Sequence, residues 1–300
     1  MTPEIVVVGS VAFDSIQAPA GSREKMLGGS ASYAAAGAAL FSPTGLVAVV
    51  GEDFPQEYVD SFARAGVDLA GFERAAGETF HWSGTYTDDM NDRTTNFTKL
   101  GVFESFSPRL PEAYRDAPCL ALGNIAPALQ LEVLSQMRAP KFVMLDTMNL
   151  WIANAKEDLL KAVAKSDMVV INEHEIRELT GKDSLVAGAK ELLGMGPAYA
   201  LVKKGEHGAF LLTNDYFLAA PAWPMALPVD STGAGDTFSA GIIGTVAAAG
   251  NADKDTLRRA MANATCLASF ACEAFGLEKL FAVTREDLDA RVEAYRDMLP

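Results

Sequence analysis

Seven short apolar runs, at residues 5–8, 45–50, 119–122, 141–145, 168–171, 199–202 and 209–212, alternate with stretches of helical period at 56–65, 129–137, 155–164, 173–179 and 185–193. A strand buried on both faces reads as a continuous apolar run, and a parallel neighbour can be reached only through a crossover, usually a helix. The alternation therefore predicts a doubly wound α/β fold with a mainly parallel sheet flanked by helices. In such sheets ligands sit outside the carboxyl ends of the strands, so the residues that follow each run are the candidates for chemistry. Two further helical segments, 254–275 and 285–298, close the chain without another clear strand.

One region breaks the alternation. Residues 79–86 and 94–100 have period-2, β-branched and aromatic character, with a turn-like segment at 88–92 between them. A polar two-stranded hairpin is marginal alone, so the segment 16–27 is expected to pair with it. A single domain spanning 1–300 results, carrying a small β lid formed by about 15–28 and 79–104. Phe13, Tyr33, Phe80 and Trp82 could stack on a flat ligand or pack the lid.

The formal charge of −14, from 25 basic and 39 acidic residues, argues against nucleic acid or an anionic membrane as partner. Cys119, Cys266 and Cys272 are too few and too scattered for a disulfide framework or a zinc site. No basic leader precedes the run at 5–8, and the uncharged stretch 27–51 is too broken by Gly, Ser, Thr and Pro to span a bilayer. These features predict a cytoplasmic protein.

The richest stretch is 230–241, Asp-Ser-Thr-Gly-Ala-Gly-Asp-Thr-Phe-Ser-Ala-Gly, a glycine-bearing turn running into an apolar helix. Backbone N–H groups of Gly233, Ala234 and Gly235, together with the helix dipole, suit a phosphate. Asp236 at the mouth of that turn is awkward beside a polyphosphate unless it takes a proton from a substrate hydroxyl. The plainer reading makes Asp236 a helix cap and Asp230 a turn former. Asp14 follows the first run, where a carboxylate can accept hydrogen bonds from neighbouring hydroxyls. Gly28 and Gly29 open an alanine-rich helix and permit close approach of a ligand. Asn172 and Glu175 have capping-box spacing, yet they also set hard oxygens at the sheet edge, which suit a partly hydrated magnesium ion. Lys203, Gly205 and Gly208 offer a second wall for an anion site.

The 230–241 stretch resembles the C-terminal signature of the ribokinase (PfkB-type) family of sugar and nucleoside kinases, and the resemblance runs in motif order from Gly9 to Gly276. It implies an ATP- and magnesium-dependent kinase of a small polyol, with Asp236 as catalytic base. It further implies that Asp14, Gly28 and Gly29 bind substrate, that Asn172 and Glu175 hold magnesium through water, and that Lys203, Gly205, Gly208, Asn263 and Gly276 border the nucleotide. Asp230 and the Thr232 carbonyl correspond to positions that help hold potassium in relatives, and the lid often dimerises. Two segments depart. Tyr33 stands where the family has an asparagine near the substrate, and 146–151 lacks the family's arginine, leaving Asn149 as a pocket-lining candidate or a helix cap.

The expected activity is phosphorylation of a sugar or cyclitol hydroxyl, with a nucleoside kinase second and a non-catalytic sugar or nucleotide sensor third. Retention of Asp236 argues against the sensor. A dinucleotide-dependent oxidoreductase is disfavoured because the first turn lacks Gly-x-Gly-x-x-Gly, and the chain has no P-loop.

Overall fold

A computed structural model describes residues 2–90 and 92–299. Residues 1, 91 and 300, the two ends of the expected domain and one position of the expected 88–92 turn, lie outside the described residues. The strands are β1 (Ile5–Val8), β2 (Ala12–Ala18), β3 (Gly21–Gly28), β4 (Thr44–Val50), β5 (Val67–Arg74), β6 (His81–Tyr86) and β7 (Arg93–Lys99). They continue as β8 (Cys119–Leu122), β9 (Phe142–Asp146), β10 (Met168–Asn172), β11 (Tyr199–Lys203), β12 (Ala209–Leu212) and β13 (Phe217–Ala220). The helices are α1 (Ser30–Ala39), α2 (Gln56–Arg64), α3 (Pro127–Gln136), α4 (Asn149–Asn154), α5 (Lys156–Val163) and α6 (Glu173–Thr180), then α7 (Leu185–Leu193), α8 (Ala234–Ala249), α9 (Lys254–Ala271), α10 (Glu278–Ala282) and α11 (Arg285–Asp297).

Nine strands form one sheet in the order β13-β12-β11-β10-β9-β8-β1-β4-β5, parallel from β11 to β5 and antiparallel at the β12 and β13 edge. Alternate residues of each strand feed opposite cores, as the two-residue period requires. Ile5 and Val7 of β1 join Leu46, Met144 and Val170 beneath α1, α8 and α9, whereas Val6 and Val8 join Val47, Leu145 and Ile171 beneath α3, α5 and α6. From β1 the chain moves outward to β4 and β5, then returns to the other side of β1 through β8, β9 and β10. The strand order thus reverses between β1 and β8, which opens a crevice at their carboxyl ends.

Helix α8 is apolar around most of its circumference because it is packed on several sides. A Cβ added to Gly241 would come within 2.5 Å of Ala264 in α9, and one added to Gly37 of α1 would lie 2.7 Å from Ala240. This close packing holds the head of α8 rigidly at the crevice.

The lid is a separate four-stranded sheet, β3-β2-β6-β7. Its central pair, β2 and β6, runs parallel, so the segment expected to add one strand to a hairpin supplies two. Strands β5 and β13 were not anticipated. Among the described residues no helix is long and apolar enough to cross a membrane, and the three cysteines are unpaired.

Candidate active site

The anion turn takes its shape from what lies beneath it. Gly233 caps α8 with φ 74°, in the left-handed region, and a Cβ there would lie 2.3 Å from the Tyr33 ring. A side chain is excluded on both counts. The Ala234 amide donates to the Ser231 carbonyl at 3.2 Å and closes the turn, so Ala234 is not one of the expected anion donors. The Gly233 and Gly235 amides have no such bond among the described residues, and they remain at the positive end of α8. Asp230 acts as a staple. Its Oδ1 accepts the Thr232 amide at 2.8 Å and its Oδ2 accepts the Gly276 amide at 3.0 Å. Both carboxylate oxygens of Asp230, one of the two groups expected for potassium, are thus engaged by amides, and the Gly276 amide, assigned to the nucleotide, serves this staple.

Two strand ends supply charge to the same place. Asp146, the last residue of β9, meets Lys203, the last of β11, at 3.2 Å. A Cβ added to Gly235 would sit 3.0 Å from the same ammonium, so Lys203 lies against the head of α8. Burial works against a charged Lys203, but Asp146, Glu175 and Asp236 outweigh it and raise its pKa. Asp236 stays partly open to the crevice. Desolvation first, then Asp146, pushes its carboxyl up to about 7, while Lys203 and Arg93 oppose the shift. A carboxylate held there is suited to take a proton near neutral pH.

Glu175 completes the acidic wall. Asn172 accepts the amides of His174 and Glu175 at 2.9 Å, and Glu175 Oε2 accepts the Asn172 amide at 2.9 Å, so the capping box forms. Burial nevertheless pushes the Glu175 carboxyl up to about 7, with Asp146 adding to it against the pull of Lys203. Three carboxylates act on one lysine there, so the crevice carries an excess of negative charge; among the described residues no three such groups are close enough together to bind a metal ion directly, and a cation would be held through water.

Asp14 belongs to β2, one strand later than its expected place after β1. It is buried, and desolvation followed by Asp230 pushes it up to about 7, with the Gly29 amide opposing. Gly28 makes room for it: a Cβ would lie 2.0 Å from Asp14 Oδ2. Gly29 caps α1 against the Ser10 carbonyl, which would be 2.5 Å from an added Cβ.

Other expected residues fall elsewhere. Tyr33 is 1% exposed and forms the floor under Gly233 rather than a stacking surface. Its hydroxyl is buried without a partner among the described residues, close enough to Asp14, Asp230, Tyr86 and Asp236 for all four to raise its pKa after burial. Asn149 is exposed in the first turn of α4, which Met148 caps without a side-chain bond. It makes no cap. Asn263 donates to Thr245 Oγ1 at 2.9 Å, tying α9 to α8 three helical turns beyond the anion site. Gly205 lies in a surface turn, and Gly208 lets β12 pass the end of β13, 2.1 Å separating its added Cβ from the Ala220 carbonyl. Phe13 stacks on Phe54 and Phe80 on Phe103, so both pack the lid base. The Asp146–Lys203 pair, Tyr86 and Arg93 escaped prediction, since only the fold brings them to the crevice.

The fold and this crevice define a phosphotransferase. Residues 2–279 match the profile of the pfkB family carbohydrate kinases, and the chain belongs to that family. It is an ATP-dependent kinase of a small molecule. The cytidine kinase of Thermococcus kodakarensis is 30% identical over 247 residues, covering 80% of this chain and 87% of its own. Among solved structures, the Burkholderia thailandensis nucleoside kinase in complex with inosine superposes with a TM-score of 0.80 at 20% identity, over 99% of this chain and 100% of that one. Arabidopsis thaliana ribokinase complexed with ribose and ATP has a TM-score of 0.76 at 21% identity, over 98% and 99%.

Proposed function

We propose that this protein is a nucleoside kinase, transferring the γ-phosphoryl group of ATP to a sugar hydroxyl of a nucleoside. The observation that carries the choice is the extended likeness to a cytidine kinase; a free sugar or cyclitol, the first expectation from sequence, becomes the alternative. Asp14 accepts the hydroxyls that orient the sugar. Asp236 takes the proton from the attacking oxygen, and the Gly233 and Gly235 amides with Lys203 absorb charge on the phosphoryl oxygens. Glu175 and Asn172 would hold magnesium through water, and the ion would neutralise charge on the polyphosphate. The lid excludes water over the acceptor. Its outer strand β7 is exposed at every residue, and such an unpaired edge suits a second copy of this chain.

A panel of nucleosides, ribose, fructose and cyclitols, assayed for ADP release, tests the reading. A nucleoside should exceed every free sugar in kcat/KM by at least about tenfold, as expected when a site that binds a base loses about 1.4 kcal/mol or more without it. A free sugar at the top of the panel overturns it.

A further inference from the structure

The tip of the lid meets the anion turn through Tyr86, whose hydroxyl engages Thr232 and has Ser231 beside it. Tyr86, the last residue of β6, places its phenol oxygen 2.8 Å from Thr232 Oγ1. Thr232 is already held on its backbone side, because its amide donates to Asp230, which is itself bonded to the Gly276 amide. The next residue, Gly233, rests on the Tyr33 ring. What Thr232 offers the lid is its hydroxyl. Across the β6–β7 ladder, Tyr86 stands directly opposite Arg93, so both side chains lie on one face of the lid. The Arg93 guanidinium lies 5.8 Å from the Trp82 ring centroid, which limits its freedom to swing away.

We propose that Tyr86 is a positioning residue for phosphoryl transfer: its phenol docks the lid tip on Thr232, and that contact fixes the anion turn from above and sets Arg93 over the crevice. The inference rests on the assignment of Asp236 and the Gly233 to Gly235 turn as the transfer site. Arg93 is placed by the same ladder, directly opposite Tyr86 and on the face of the lid that Tyr86 turns to the anion turn. Tyr86 touches none of the reacting atoms. Its effect passes through two neighbours, one covalently continuous with the phosphate donors and one across the strand.

Tyr86→Phe removes the O–H and keeps the ring, and it is measured on whichever acceptor the unmutated protein prefers in the panel. The expected result is kcat lower by about tenfold, equivalent to about 1.4 kcal/mol, with KM for ATP changed by less than about twofold and the same thermal midpoint. Thr232→Val should lose a similar factor, and Thr232→Ser should restore most of it. The double variant Tyr86→Phe with Thr232→Val should be no slower than the slower single variant, because both remove one contact. In the ligand-free protein, amide hydrogen exchange in β6 and β7 should rise in Tyr86→Phe while that in β1 and α8 stays constant. A wild-type kcat in Tyr86→Phe, or a double variant whose loss is the product of the two single losses, overturns the proposal. A free sugar as preferred acceptor would remove the nucleoside reading and leave this test intact.

Discussion

The middle of the nine-stranded sheet and the outer edge of the lid bury their strands to opposite degrees. Every residue of β1, β4, β8 and β12 is buried, whereas every residue of β7 is exposed. The first sheet is held by apolar packing on both faces. The second is held by cross-strand contacts such as Trp82 to Thr95 at 3.3 Å, Asn96 to Ser83 at 3.2 Å and the His81 ring against Phe97. Local stability follows buried apolar contact, so the lid should open at a small fraction of the global unfolding free energy. The chemistry is divided accordingly. The rigid half carries Asp236, Lys203 and the amides at the head of α8, which must not move during transfer, while the compliant half carries Tyr86 and Arg93, which must move for substrates to enter and leave.

The largest expected effect tests the rigid half. Asp236→Asn keeps the turn and removes the base, so turnover should fall by about 10²–10⁴-fold while ATP affinity, followed by calorimetry, changes little. Near-normal turnover would show that Asp236 is only a helix cap.

The contrast in packing can be measured directly. Leu145→Ala, at a fully buried position of β9, should cost about 2–5 kcal/mol in denaturant unfolding. Phe97→Ala, at a residue 37% exposed in β7, should cost less than about 1 kcal/mol by the same assay. Equal costs would mean that the lid belongs to the same cooperative unit as the sheet.

Arg93→Gln probes the seam. Losing a cation over the crevice should lower kcat by about tenfold. Because Arg93 holds the Asp236 carboxyl down against the larger push of burial and Asp146, its removal should move the acid limb of the pH–rate profile to higher pH. A limb that stays in place would put Arg93 out of reach of the base.

The smallest effect is on stability. Burial raises Asp14, Glu175 and Asp236 from ordinary carboxylate values to about 7, so between roughly pH 4 and 7 the folded chain binds more protons than the unfolded one. Their contribution to stability is therefore present at the acid end of that window and is lost as pH rises through 7, while the rate rises over the same range as the base ionises. In ligand-free Asp236→Asn the decline of the thermal midpoint between pH 5 and 8 should be shallower than in the unmutated protein. An unchanged slope would mean that Asp236 titrates as an ordinary exposed carboxylate.

Much of the main sheet was legible. The runs at 5–8, 119–122 and 209–212 coincide with β1, β8 and β12, since strands covered on both faces must be continuously apolar. Strand β5 was hidden because Val67–Arg74 is partly exposed and carries three charged residues, and β13 because an edge strand of four residues has little pattern to show. The anion turn was legible because its function is local: glycines, dipole and acid lie within seven residues. The bond that Asn263 makes was hidden for the converse reason. Its neighbours Ala262 and Ala264 mark a packed helix face, and Asn263 ties that face to α8 through Thr245.

By itself the sequence determined the alternation of strand and helix, the crevice that a parallel sheet opens at its carboxyl edge, and the residue types placed at each strand end. These follow from short-range periodicity and steric limits, which act over a few residues at a time. Only the tertiary structure decided that Lys203 answers Asp146 across 57 positions, that Tyr33 is a floor and not a wall, and that Tyr86 reaches Thr232 across 146. Such pairings depend on strand order and on the path of the chain between elements, and no local pattern encodes a distance that the rest of the fold must first bring about.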